Sequence, residues 1–186
     1  TVAGALVQRF KERDENCRVD IIECFNGLLS NTVDAVSAGD IILASSNSMD
    51  TTNDASQTVI DLRTNYVPTI VKGCEKQLSA KKAGNRTKSA ALALLSSLCR
   101  VPGGIGDAGQ IRTIFEYAKS ILGESIGAAS GHSSNKSLKL DCLRLVHVIV
   151  SSENHSPSDV KDAVINVLLS ELCKALQENW YKITSE

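Results

Sequence analysis

The chain has 186 residues and is 42% hydrophobic, which is sufficient for one globular domain. Its 20 basic and 21 acidic residues leave a net charge of −1, so no overall electrostatic attraction to nucleic acid or to an anionic membrane is expected. No apolar run reaches the ~20 residues that a membrane-spanning helix needs.

Two apolar stripes with helical spacing of three or four residues occupy the first part of the chain. Asp14 precedes the first stripe and can cap a helix there, because its carboxylate accepts from the first free N–H groups. Pro68 lies inside the second, so this helix either kinks there or begins near Asn65 with Pro68 in its first turn. The stripes are Ile21, Ile22, Phe25, Leu28 and Leu29, and Val59, Leu62, Tyr66, Ile70, Cys74 and Leu78.

Two further helices are predicted on either side of a glycine-rich stretch. The third stripe stops at "RVPGG" (100–104), and the fourth ends at Gly123, a residue type favoured at helix C-termini. Their apolar residues are Ala91, Leu94, Leu95 and Leu98, and Ile111, Ile114, Phe115, Ala118, Ile121 and Leu122.

The last two patterned segments complete an all-α prediction. The run "LKLDCLRLVHVIV" (138–150) is rich enough in β-branched residues to be a buried strand, but no partner strand is apparent, so we predict a buried helix. The sixth helix should start with Ser156 as N-cap, Pro157 in the first position and Asp159 completing a weak capping box. Its stripe is Val160, Val164, Val167, Leu168, Leu172 and Leu176.

Two polar stretches, 34–56 and 123–135, are predicted to be loops. The first is expected to be a mobile insertion, because its many small polar residues surround a single apolar island, Ile41–Leu43.

A short pattern recurs at the predicted helix starts: apolar, basic, apolar, polar. It occurs at 17–20 and 138–141, in its first three positions at 181–184, and in blurred form at 86–89. The step from Lys139 to Lys182 is 43 residues, the period of a HEAT-type helix pair. The other two steps become similar once the polar stretches are removed. We therefore predict a right-handed α-solenoid of HEAT-type antiparallel helix pairs.

The two ends of the chain also have helical spacing. "TVAGALVQRF" opens on Val2, Leu6 and Phe10, and "ENWYKITSE" closes on Trp180, Tyr181 and Ile183. We expect about three full helix pairs with partial pairs at both ends. On this interpretation residues 1–186 form one HEAT-repeat segment of a longer solenoid.

Several strings resemble the cullin-associated, neddylation-dissociated proteins. These are "RFKERDENCRVD" (9–20), "VPTIVKGCEKQL" (67–78), "SSNKSLKLDCL" (133–143), "NHSP" (154–157) and "YKITSE" (181–186). Their order and spacing match a segment from the N-terminal half of that long HEAT-repeat chain. The polar stretch at 34–56 and the glycine- and alanine-rich turns at 103–109 and 123–131 depart from the family pattern.

The resemblance implies a scaffold that wraps unneddylated cullin–RING ligase cores and promotes the exchange of their substrate-receptor modules. This is binding without a chemical step, so we expect no enzyme activity, no cofactor and no small-molecule substrate. The expected partner is the cullin–RING core, bound through the full-length protein. The expected location is the cytoplasm and the nucleus.

The six cysteines, at 17, 24, 74, 99, 142 and 173, fit that location. No two form a C-x-x-C motif, and most lie among Leu, Ile and Val, so we predict reduced core thiols rather than a disulfide framework.

Two motifs that resemble ligand sites have simpler explanations. Gly104, Gly106 and Gly109 form a G-x-G-x-x-G motif, but a helix rather than a strand precedes it, which favours a flexible turn within a helix pair. His132 and His155 lie in predicted loops, and His147 is predicted to be a core or groove histidine. None has a second ligand at a helical metal-site spacing, so no metal site is predicted.

A basic run from residue 72 to 88 is the candidate partner-binding feature. It contains six basic residues against one acid, Glu75. It is either a solvated helix end, with lysines complementing the helix dipole, or a basic ridge that contacts an acidic part of a partner. The predicted binding residues are Lys72, Lys76, Lys81 and Lys82.

Two other functions stay open. A HEAT scaffold could serve a different partner, as a nuclear transport receptor or a phosphatase scaffold does. Alternatively, a small helical enzyme could use the 103–109 turn. Pull-down of a cullin would support the first function, and nucleotide-induced thermal stabilisation would support an enzyme.

Overall fold

A computed structural model describes residues 5–6, 8–37, 65–101, 103–124 and 132–177. Within these residues all regular structure is helical, and there is no strand. The all-α prediction is therefore confirmed, and the ambiguous run 138–150 is a helix. The helices are α1 (Glu15–Ser37), α2 (Val67–Ser79), α3 (Asn85–Leu98), α4 (Ala108–Gly123), α5 (His132–Ser151), α6 (Pro157–Ala163) and α7 (Leu169–Gln177). A 3₁₀ turn at Arg9–Lys11 precedes them, and a π-helical segment, Val164–Leu168, joins α6 to α7.

Most of the predicted helix starts are confirmed. The Cys17 N–H donates to the Asp14 carboxylate at 3.0 Å, and this bond lowers the pKa of Asp14. Pro68 lies in the first turn of α2, where its missing N–H costs nothing. Ser156 is the N-cap of α6, but its side chain makes no capping bond there. Its hydroxyl pairs with that of Ser158 at 2.8 Å, so the predicted capping box is wrong.

The boundaries of both predicted loops need correction. Helix α1 continues to Ser37, so residues 34–37 are helical, and α5 begins at His132, so residues 132–135 are helical. The remainder of the predicted mobile insertion lies outside the described residues. The same is true of Val59, Leu62, Val2 and the C-terminal apolar residues 180–183. Of the other apolar residues near the N-terminus, Phe10 is buried in the core and Leu6 packs against it.

The helices form two layers. The first helices of three successive pairs, α1, α3 and α5, contact one another in chain order. The second layer consists of α2, α4 and the α6–α7 segment, which also pack in chain order. Helix α3 contacts α2, and α4 contacts α5, so the layers share one core. This architecture is the predicted α-solenoid of three helix pairs.

In the described part of the chain the core follows the predicted apolar segments, except that Leu28 and Val150 are exposed. Phe25, Ile70, Leu94 and Phe115 are each no more than 1% exposed. Leu28 is 44% exposed, because it lies beside the buried line of α1 rather than on it. That line consists of Val19, Ile22, Phe25 and Leu29.

The repeated pattern corresponds to equivalent inward-facing positions. Its basic position is occupied by Arg18, Thr87 and Lys139 in the three first helices. Thr87 and Lys139 are 0% and 2% exposed, and Arg18 is half-buried. The Thr87 hydroxyl donates to the carboxylate of Glu15 at 2.8 Å, which links α3 to α1. Arg18 instead donates to the carbonyls of Glu12 and Arg13, which precede its own helix.

The turn between α3 and α4 is packed into the core, contrary to the flexible turn expected there. Ile105 is fully buried, and its N–H donates to Nε2 of His155 at 3.2 Å. Gly104 has φ +58°, and a Cβ at this position would lie 2.3 Å from Nε2 of His155. Only glycine therefore fits here without strain. His155, expected in a loop, is only 7% exposed.

The same turn is also held to the next helix pair by the Cys99 carbonyl. It accepts from the Ser152 hydroxyl at 2.9 Å and from the Asn154 amide at 3.0 Å. Together with the His155–Ile105 bond, these contacts join the turn of one pair to the turn of the next.

We predict that His155→Leu lowers the free energy of unfolding by about 1–3 kcal/mol, because the Ile105 N–H stays buried without its acceptor. Burial lowers the pKa of His155, whereas an unfolded histidine titrates near ~6.5. Below that pH the unfolded chain takes up the proton more readily, so the wild-type protein should lose stability as the pH falls from ~6.5 towards the lower, folded-state pKa.

Urea unfolding from pH 7.5 to 5 checks this prediction. At pH 7.5 the His155→Leu variant should be less stable than the wild type. Between pH 7.5 and 5 its free energy of unfolding should fall by less than that of the wild type. The matched control is His147→Leu, which replaces an exposed histidine. Equal stability of His155→Leu and wild type at pH 7.5 would contradict the role assigned to the His155–Ile105 bond.

Candidate partner-binding surface

Helix α2 is amphipathic and presents two of the predicted lysines to solvent. Its buried side consists of Val67, Ile70, Val71, Cys74 and Leu78. Lys72 and Lys76 are one helical turn apart and both exposed, so they share the outer face of α2. Helix α2 packs closely against the Phe10 ring, because Gly73 at the contact has no side chain. The Phe10 ring in turn stacks on Phe25 of α1, with centroids 5.6 Å apart.

The turn after α2 carries the other two lysines. The Ala83 N–H donates to the Ala80 carbonyl at 3.1 Å, and Lys81 and Lys82 are exposed at the tip of this turn. Gly84 then packs against Glu15, which leaves no room for a Cβ. The structure thus places Lys72, Lys76, Lys81 and Lys82 on one helix face and the turn that follows it. We call these four residues the lysine ridge.

The lysine ridge is a concentrated positive surface. Among the described residues, no carboxylate lies within 4.0 Å of any of its four amines. Glu75, the acid within the predicted run, is half-buried. Burial raises the pKa of Glu75, and the charge of Lys72 opposes that shift.

The predicted basic run does not remain one surface beyond residue 82. Arg86 lies in the first helix layer, where it donates to the Asn16 side chain at 3.0 Å. The sequence run therefore divides between the two layers, and only its first part forms the ridge.

A second surface, which the sequence did not reveal, is a groove of about 1160 Å³ along α3 between α1 and α5. Small side chains on the outer face of α3 form its floor: Ala90, Ala93, Ser96 and Ser97. Its walls include Glu23 and Asn26 from α1 and Asp141, Arg144 and His147 from α5. His147, expected in the core or in a groove, is exposed and lines this groove. No single apolar stripe signals the feature, because it needs three helices that are distant in sequence.

The glycine-rich turn is poorly suited to phosphate. Gly103, Gly104 and Gly106 have positive φ angles, and the buried Ile105 fills the space inside the turn. The Gln110 N–H at the start of α4 donates to the Asp107 carboxylate at 3.0 Å. A negative side chain thus occupies the helix N-terminus where a bound phosphate would otherwise lie.

No group of three or more His, Cys, Asp or Glu side chains among the described residues is placed to hold a metal ion. The helices of the described part include none that is long and apolar enough to cross a membrane.

The cysteines are all free, but only half of them are core thiols as predicted. Cys74, Cys99 and Cys142 are buried, whereas Cys17, Cys24 and Cys173 are exposed. Burial raises the pKa of both Cys99 and Cys142 to about 12 and that of Cys74 further. Sequence reasoning missed the exposed three because cysteine is usually a buried residue type, whereas these three positions face outward.

The architecture defines the class of protein: an all-α solenoid of stacked helix pairs, with the lysine ridge and the groove as its two candidate binding surfaces. The chain is similar over its whole length to cullin-associated NEDD8-dissociated proteins. Over the whole chain it is 27% identical to cullin-associated NEDD8-dissociated protein 1 of Dictyostelium discoideum and 22% identical to cullin-associated NEDD8-dissociated protein 2 of Mus musculus. Over 97% of the chain it is 28% identical to cullin-associated NEDD8-dissociated protein 1 of Arabidopsis thaliana. These matches confirm the resemblance to the cullin-associated, neddylation-dissociated family.

The chain spans only 12–13% of the length of these curated relatives. No known family model matches it, and no solved structure does.

We predict that thiol labelling distinguishes the two sets of cysteines. Iodoacetamide at pH 8 should modify Cys24 and Cys173 first and Cys17 more slowly. Partial desolvation, together with the Asp14 carboxylate, raises the pKa of Cys17, and the thiolate is the reactive form. Cys74, Cys99 and Cys142 should react only after unfolding. Peptide mass spectrometry in the native state and in urea measures this order. Rapid native labelling of Cys99 or Cys142 would contradict the described core.

Proposed function

We propose that this chain is a binding segment of a regulator that wraps unneddylated cullin–RING ligase cores and promotes exchange of their substrate-receptor modules. The observation that carries the proposal is the match of the entire chain to proteins named as cullin-associated and NEDD8-dissociated. The stacked helix pairs support it, because solenoids provide extended surfaces for large partners. The proposed role is binding and involves no chemical step. The proposed site of action is the cytoplasm and the nucleus.

We further propose that the chain works as part of a longer solenoid. The segment from α5 to α7 exposes three large apolar side chains, Val150, Ile165 and Leu169, at 47–53%. Leu28 on α1, at the other end of the stack, is 44% exposed. Further helix pairs stacked on these sides would remove such apolar area from water, at ~25 cal/mol per Å².

A chain extended by one natural helix pair on each side should therefore melt at a higher temperature and self-associate less than the 186-residue chain. Differential scanning calorimetry and sedimentation velocity provide the two measurements. An unchanged melting temperature would mean that these apolar faces need no neighbour.

The lysine ridge is the surface that we assign to the cullin–RING core. It lies in the second helix layer and carries four exposed cations with no carboxylate among the described residues close enough to neutralise them. Exposed charges at the edge of an interface act mainly by steering the encounter, and salt screens them over ~8–10 Å. The ridge should therefore affect the association rate more than the dissociation rate.

Lys72→Glu combined with Lys76→Glu should slow association with an acidic surface of an unneddylated cullin–RING core by about tenfold at low salt. The salt dependence of the rate should flatten, and the dissociation rate should change less. Stopped-flow fluorescence on the longest natural protein that contains this chain measures both rates.

The matched control is Lys136→Glu with Lys161→Glu, which makes the same charge change at two exposed lysines elsewhere in the stack. The control should slow association much less. If the ridge variant and the control slow association equally, the ridge is only solvated surface and its assignment is wrong, although cullin binding itself would stand.

A further inference from the structure

We propose that the groove along α3 is a docking site for an acidic helical segment of a second protein. It is separate from the lysine ridge. The α3 residues that form the floor point away from the second helix layer, whereas the ridge belongs to that layer. The proposal therefore concerns another partner surface and does not rest on the cullin assignment.

The length and shape of the groove suit a helix. Both ends of the groove carry an arginine: Arg86 in the first turn of α3 and Arg100 just after its last residue, Leu98. The 14 residues of α3 span about 20 Å. About four turns of a bound helix have the same length. The floor between these arginines contains only alanine and serine, so a partner helix can approach the backbone of α3 closely. Recognition of an amphipathic helix in a groove of this kind is a common binding mode.

The charges in the groove specify an acidic partner. Three arginines line it, Arg86, Arg100 and Arg144, against two carboxylates, Glu23 and Asp141. Asp141 already accepts from the Ser89 hydroxyl at 2.6 Å and pairs with Arg144 at 3.4 Å. Arg100 is exposed at the end of α3. Guanidinium groups bind carboxylates through paired hydrogen bonds, which favours glutamate and aspartate on the partner.

The groove walls are held in place before any partner binds. The Ser89–Asp141 bond joins the floor to the α5 wall. The Ser97 hydroxyl donates to the Asn26 side chain, which joins the floor to the α1 wall, and Arg86 reaches Asn16 on the same helix. A preformed site loses less conformational entropy on binding.

The same features disfavour other ligands. Small-molecule pockets of up to ~1,000 Å³ bury most of their ligand, whereas this groove is open along one side of three helices. Single-stranded nucleic acid stacks on successive aromatic side chains, and the described lining contains no Phe, Tyr or Trp.

Selection from a displayed library of random 16-residue peptides tests the proposal. Wild-type protein is the target, and Ala93→Trp, which fills the floor at an exposed alanine, is the counter-target. Enriched peptides should carry Asp or Glu at helical spacing beside an apolar stripe. Thermal denaturation and circular dichroism verify that each variant is folded.

Fluorescence anisotropy then measures the dissociation constant of the best peptide. Arg100→Glu with Arg144→Gln should weaken binding by about tenfold, since two exposed ion pairs with the peptide are lost. Lys72→Glu with Lys76→Glu lies on the other layer and should leave the affinity within about twofold.

Four outcomes would overturn the proposal. The first is that no peptide is enriched on wild type relative to Ala93→Trp. The second is that the enriched peptides are neutral or basic. The third is that a 12-nucleotide oligouridine displaces the peptide. The fourth is a dimer in sedimentation velocity that Ala93→Trp converts to monomer, because the occupant would then be a second copy of this chain.

Discussion

Helix α3 packs against α1, α2 and α5 at once, and this burial fixes the relative position of both helix layers. Its inner face consists of leucines that are at most 1% exposed, Leu92, Leu94, Leu95 and Leu98. Burying one such side chain fully contributes about 1.5–3 kcal/mol. The large apolar side chains of α3 face the core, whereas small residues occupy its outer face. That outer face is the floor of the groove.

Polar contacts then fix the position of one helix pair relative to the next. Glu15 and Thr87 link α1 to α3, and Ser89 and Asp141 link α3 to α5. On the opposite side of each pair, His155 and Ile105 connect consecutive turns. Apolar packing alone tolerates small shifts between helices, whereas these bonds have preferred distances and directions. The first two bonds hold the walls of the groove in fixed positions relative to its floor on α3.

The fold was predictable from sequence to a greater extent than the surfaces. Helical spacing identified all of the packed helices, because burial on one face imposes that spacing. It did not show that Cys24 and Leu28 face outward, since residue type alone does not distinguish the core side from an adjacent side. The pairing of His155 with Ile105, 50 residues apart, and the convergence of α1, α3 and α5 on one groove depend on tertiary packing. The ridge was visible because Lys72 and Lys76 share a local helix face.

Hydrogen–deuterium exchange with and without an unneddylated cullin–RING core is the most direct test of the proposal that this chain contacts the core through its second helix layer. The measurement compares amide exchange across the chain in the longest natural protein that contains it. Amide exchange from α2 through the turn at 80–84 should be slower when the cullin–RING core is bound. Unchanged exchange throughout α2 and that turn, in a sample where binding is saturated, would contradict the proposal.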